Sequence, residues 1–137
     1  MSTNQVIVFE LGDIRYCVDI LKTQEIMRMV EVTPVNEEND KAKGIINLRN
    51  ELIPIINTAH LLRLSEQAES NETRIIVVES NKKKVGLIVD RVLEVGTYTL
   101  EEMEEMKAVA SADTSFIRGI IKKKEHLWLM LNLDQIA

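Results

Sequence analysis

Val6-Ile7-Val8-Phe9-Glu10-Leu11, then Gly12-Asp13, then Ile14-Arg15-Tyr16-Cys17-Val18-Asp19-Ile20 decides the fold class. The second arm alternates apolar with mostly polar residues, so period two sends Ile14, Tyr16, Val18 and Ile20 to one face of a strand. Gly12 supplies the positive φ of a tight two-residue turn. The stretch therefore predicts a β-hairpin. Downstream, Ile45-Ile46-Asn47-Leu48 and Leu52-Ile53-Pro54-Ile55-Ile56 flank Arg49-Asn50-Glu51 and predict a second one. Pro54 has no N–H for a ladder, which points to an edge strand or a bulge.

Thr58 to Leu64 reads as a short helix, and Ser65-Glu66-Gln67-Ala68-Glu69-Ser70-Asn71-Glu72 as a polar linker. Beyond it the pattern begins again. Arg74 to Glu79 and Val85 to Asp90 form a third hairpin around a turn at Ser80 to Lys84, and Ile117 to Ile121 with Leu127 to Leu133 form a fourth. Ile7-Val8-Phe9-Glu10 aligns with Ile76-Val77-Val78-Glu79, and Tyr16, Val18 and Ile20 with Val85, Leu87 and Val89. At the same offset Glu25-Ile26 aligns with Glu94-Val95. With six more residues inserted, Gly44-Ile45-Ile46 matches Gly119-Ile120-Ile121, and Leu52, Ile55, Ile56 and Asn57 match Leu127, Met130, Leu131 and Asn132. Two blocks in the same order, with glycine and glutamate in register, indicate a duplication.

Each half holds two hairpins and an intervening segment, Gln24 to Val32 or Leu93 to Tyr98, about five strands in all, a size common in small closed sheets. The expected fold is all-β: two packed five-stranded barrels with short helical segments, residues 1–66 forming one lobe and 67–137 the other. Strand exchange between the lobes would make that boundary nominal. Asp19 to Val30 has a helical alternative, but its apolar positions hold no clean 3.6 period. Leu100, Met103 and Met106 suggest a helical turn within the acidic run Glu101-Glu102-Met103-Glu104-Glu105, a solvated segment rather than a metal site, because consecutive carboxylates do not converge on one ion.

Composition narrows the function. A net charge of −5 argues against nucleic-acid binding, which needs a clustered basic surface. The lysine runs 82–84 and 122–124 fall at expected hairpin turns. No basic segment followed by an apolar run opens the chain, and no apolar stretch approaches roughly 20 residues, so a cytoplasmic protein with no membrane insertion is expected. The single cysteine, Cys17, cannot build a disulfide framework or a thiolate zinc cluster. His60 and His126 lack a neighbouring nucleophile arrangement, and the five glycines are too dispersed to cradle a phosphate. No catalytic residue, metal or cofactor is expected. Arg49 is the residue to which a surface argument points: the alternation puts it on the Asn47 face, where its guanidinium could fork onto a partner's carboxylate or stand solvated in a turn.

Gly44-Ile45-Ile46-Asn47-Leu48-Arg49, followed by Leu52-Ile53-Pro54-Ile55-Ile56, closely resembles the CheW family of chemotaxis coupling proteins. Val18 to Ile26, Val85 to Asp90 and Phe116-Ile117-Arg118-Gly119 carry the likeness further, from about Val6 to Ile136. The resemblance implies two SH3-like barrels with a hydrophobic groove between them. It also implies a non-catalytic adaptor that binds the cytoplasmic tip of chemoreceptors and the regulatory domain of the CheA histidine kinase, recruited to membrane receptor arrays. Positions matching the family's receptor groove are Ile20, Glu25, Ile26, Arg49, Leu52, Val92 and Val95; Ile20, Ile26, Val92 and Val95 could equally be core. Kinase contacts map to Met29, Val30 and Gly44. Three residues depart from the family pattern: Asn50 in place of glycine, Asn57 in place of aspartate and Thr23 in place of valine. Glu104 to Ala112 also lacks the family's prolines. An adaptor for a paralogous pathway, or a small ligand-binding or hydrolytic barrel, are the competing functions.

Overall fold

The alternation from Val6 to Ile20 becomes strands β1 (Asn4–Leu11) and β2 (Ile14–Asp19), with Gly12 at φ 61 in the turn. The structure is a computed structural model that describes residues 3–35, 42–105 and 115–137. After a 3-10 turn at Ile20–Lys22 come β3 (Thr23–Arg28), β4 (Thr33–Pro34), β5 (Ala42–Leu48), β6 (Glu51–Asn57) and the one-turn helix α1 (Thr58–Leu61). The second half follows with β7 (Arg74–Ser80), β8 (Lys83–Val89) and β9 (Arg91–Tyr98). A 3-10 turn at Leu100–Glu102 leads to β10 (Met103–Glu105), β11 (Ile117–Lys122), β12 (Leu127–Leu131) and α2 (Leu133–Ile136).

The strands form two six-stranded sheets, β10-β11-β12-β2-β1-β9 and β3-β7-β8-β6-β5-β4, consistent with two SH3-like lobes. Each sheet exceeds the expected five because β4 and β10 add a short edge strand. Neither sheet stays on one side of residue 66. The β1–β2 hairpin of the first half pairs with β9 and β12 of the second; the β7–β8 hairpin of the second pairs with β3 and β6 of the first. The register repeats as well: Ile55 opposes Gly86 as Met130 opposes Cys17, and Glu25 opposes Val77 as Glu94 opposes Val8.

This exchange explains why β1 and β7 read as almost continuous apolar runs, for both faces are buried. Val6 and Val8 enter a core with Cys17, Ile121, Trp128 and Met130 inside the first sheet. Ile75 and Val77 do the same with Ile46, Ile53 and Ile55 inside the second. The intervening residues Ile7, Phe9, Ile76 and Val78 meet between the sheets, with Tyr16, Val18, Ile56, Leu87 and Leu131. Burying a side chain such as Phe9 fully contributes about 1.5–3 kcal/mol.

Gly44 and Gly119, aligned by the repeat, owe their identity to close approach. A Cβ on Gly44 would run into the Thr33 carbonyl of β4, and one on Gly119 would stand 2.8 Å from the Glu104 carbonyl of β10.

Several local readings change. Pro54 lies on an interior strand, not an edge; it is accommodated because the β6–β8 ladder begins only at Ile55. Arg49 does not continue the Asn47 face. Arg49 and Asn50 form a two-residue turn with φ of 51 and 66, a pattern that suits the twist of a hairpin. Asn81 and Lys82 do the same at φ 54 and 64, so the third turn is tighter than Ser80 to Lys84. Met103 is strand rather than helix, because it pairs with Ile121. Met106 and most of Glu104 to Ala112 lie outside the described residues.

Candidate partner-binding site

The second sheet curls enough to bring the β5–β6 turn onto β3. There Arg49 Nη1 lies 2.7 Å from Glu25 Oε1, with the guanidinium largely exposed and the carboxylate half-buried. Two residues the sequence marked separately are thus one charge-assisted pair.

Strand register places the apolar candidates. Residues directly opposite on paired strands share a face. Ile26 opposes Ile76, and Val95 opposes Ile7, and both partners belong to the inter-sheet core. A bulge at Val8/Phe9 lets Val92, which opposes Phe9, face the same way. Leu52 shares its face of β6 with Ile56, another inter-sheet residue. Val92 and Ile20 pack against that core, which favours their core assignment. Ile26, Leu52 and Val95 remain 41%, 65% and 53% exposed. Ile20 and Val92 are thus packed against the inter-sheet core, while Ile26, Leu52 and Val95 are exposed residues on strand faces that carry core residues.

Met29 and Val30 leave β3 beside Lys43 and line a shallow recess with Glu31, Val32 and Glu69. Met29 packs partly into the core of the second sheet, Val30 is 44% exposed, and Gly44 is buried under β4. Gly44 therefore offers no side-chain contact; it sets the spacing of β4 and β5.

The departures from the family pattern are locally absorbed. Thr23 Oγ1 donates to the Asp19 carbonyl at 3.1 Å. Asn57 caps α1 by accepting from the His60 N–H at 3.2 Å, as an aspartate would. Sequence reasoning missed Leu21, 87% exposed on the first 3-10 turn, while Leu100, expected in a helical turn, lies on the second one and is 73% exposed. It also missed a polar cluster where the sheets meet: the Ser80 hydroxyl donates to Asp134 Oδ1, and Lys22 Nζ sits 3.3 Å from the same oxygen. These partners hold the Asp134 carboxyl below its usual range, the Ser80 hydrogen bond contributing most.

Among the described residues no three His, Cys, Asp or Glu side chains converge to hold a metal ion. His60 Nδ1 is 3.6 Å from Glu66 at an exposed position, and His126 is exposed on the β11–β12 turn. Burial pushes the Cys17 thiol up to about 12. No described helix is long and apolar enough to cross a membrane.

Comparison with known proteins agrees with this architecture. The crystal structure of the scaffolding protein TtCheW from Thermoanaerobacter tengcongensis superposes with a TM-score of 0.89 at 32% identity, covering 96% of this chain and 90% of that one. The chemotaxis protein CheW of Thermotoga maritima is 29% identical over 96% of this chain and 86% of its own length. That of Treponema pallidum is 26% identical over 96% and 81%. The CheW-like domain family matches residues 5–137, and the chain belongs to that family.

Proposed function

We propose that the chain is a non-catalytic scaffolding adaptor that couples chemoreceptors to the CheA histidine kinase. The observation that carries this reading is an exposed apolar set: Ile26, Leu52 and Val95 stand exposed on strand faces that carry core residues, near an exposed Arg49 held by Glu25. Exposed apolar side chains beside a charged pair suit the apolar stripe of a partner helix, the charges fixing its register. A chain-long family match and a solved relative described as a scaffolding protein support the same reading. Receptor contact is assigned to Ile26, Arg49, Leu52 and Val95, with Ile20, Glu25 and Val92 supporting them from beneath. Kinase contact is assigned to the recess at Met29 and Val30, with Gly44 setting the local backbone. Bound to both partners, the adaptor is recruited from the cytoplasm to membrane receptor arrays.

Co-sedimentation with receptor fragments and CheA tests the proposal. The chain should raise CheA autophosphorylation only when receptor is present, and Leu52→Asp should weaken receptor binding at least tenfold, about 1.4 kcal/mol. Failure to bind either partner overturns it.

A further inference from the structure

Taken alone, neither half of the chain contains a finished sheet. In the first half, β1–β2, β3 and β4-β5-β6 make no sheet contact with one another. The second half is divided in the same way into β7–β8, β9 and β10-β11-β12. Four junctions complete the sheets, β1–β9, β2–β12, β3–β7 and β6–β8, and every one joins a strand of one half to a strand of the other. Each half thus presents open strand edges and an apolar face whose complement is the other half, the arrangement from which exchanged dimers arise.

The tether between the halves is slight. Residues 65–72 are all exposed and form neither helix nor strand. His60 Nδ1 lies 3.6 Å from Glu66 and Arg91 pairs with Glu72 at 3.9 Å, both between exposed side chains and weak, while the hydrogen bonds of Ser70, Asn71 and Glu72 stay local, to Thr73, Arg74 or one another. Nothing in the four junctions requires the two halves to belong to the same chain.

We propose that two copies of this chain can interlock by exchanging halves, residues 3–64 of one pairing with residues 73–137 of the other. Every strand junction is kept, and only the path of the linker changes. The product is a dimer with two complete two-sheet units, each with its own Arg49–Glu25 pair and its own inter-sheet core. If the adaptor reading above holds, the dimer is bivalent, with two receptor sites joined by two linkers.

Two full-length variants test this. Deleting residues 65–69 shortens the tether so that a chain cannot easily close on itself. Light scattering should then give the mass of two chains, with the far-ultraviolet circular dichroism of the parent. The second variant combines Gln5→Cys and Thr97→Cys, which face each other across β1–β9 at exposed positions. Oxidised after concentrated protein is passed through mild denaturant, it should yield covalent dimers on non-reducing gels, whereas dilute protein gives links within one chain. Buried Cys17 does not compete. A shortened variant that stays monomeric and folded overturns the proposal. Should that variant fail to fold, the cysteine pair decides: intrachain links alone at every concentration overturn it too. A co-sedimentation assay is not involved, so a failed adaptor reading leaves this result standing.

Discussion

Arg49 Nη1 stands 2.7 Å from Glu25 Oε1, joining the β5–β6 turn to β3 across the curl of the second sheet. The pair links the turn that leads into Leu52, three residues beyond Arg49, to the strand that carries Ile26, the neighbour of Glu25. Exposed ion pairs contribute little to stability, about 0.2–1 kcal/mol, so its effect falls on geometry and recognition. Arg49→Glu should leave the urea midpoint almost unchanged while abolishing receptor co-sedimentation. If the pair acts chiefly by holding the turn, adding Glu25→Arg to that variant restores most of the binding. A double variant as defective as the single one would show that Arg49 itself contacts the partner.

Gly44 and Gly119 tolerate no Cβ, because the carbonyls of Thr33 and Glu104 occupy that space. Gly44→Ala and Gly119→Ala should each destabilise the fold by about 1–3 kcal/mol through overpacking. Thermal melts would register this as a clear fall in Tm. A Gly44→Ala protein of parental stability that nonetheless lost kinase binding would return Gly44 to direct contact.

Acid should loosen the place where the sheets meet. The Asp134 carboxyl is held low by Ser80 and Lys22, so its folded pKa lies below its unfolded value. Its contribution is therefore complete above the ordinary aspartate pKa and is lost as pH falls through the folded one. Urea midpoints measured from neutral to strongly acidic pH should show Asp134→Asn less stable than the parent at neutrality and the two converging in acid.

Cys17 is fully buried and its thiol is pushed up to about 12, leaving almost no thiolate at neutral pH. A thiol reagent should label the native chain very slowly and the unfolded chain quickly, with a rate that tracks denaturant unfolding. Rapid labelling of native protein would mean that the β2–β12 junction opens locally.

Much was legible in the residues. Apolar runs bounded by turn residues located eight strands, with period-two alternation clearest in β2, and Gly12 marked its turn because it needs a positive φ. The duplication was legible because Gly44 and Gly119, or Glu25 and Glu94, hold equivalent places in the two halves. β4 and β10 were not legible, since Thr33–Pro34 and Met103–Glu105 are too short to carry a period. The turn at Arg49 was misread because an arginine at φ 51 gives no signal in the sequence, whereas the asparagine after it does.

The sequence by itself determined which segments are strands, roughly where the hairpins turn, and that the second half repeats the first. The tertiary structure decided which strands are neighbours: alternation sets the face of a side chain but not the partner across the ladder. For that reason the exchange of hairpins between the halves, Pro54 on an interior strand and the meeting of Arg49 with Glu25 became visible only once the sheets were packed.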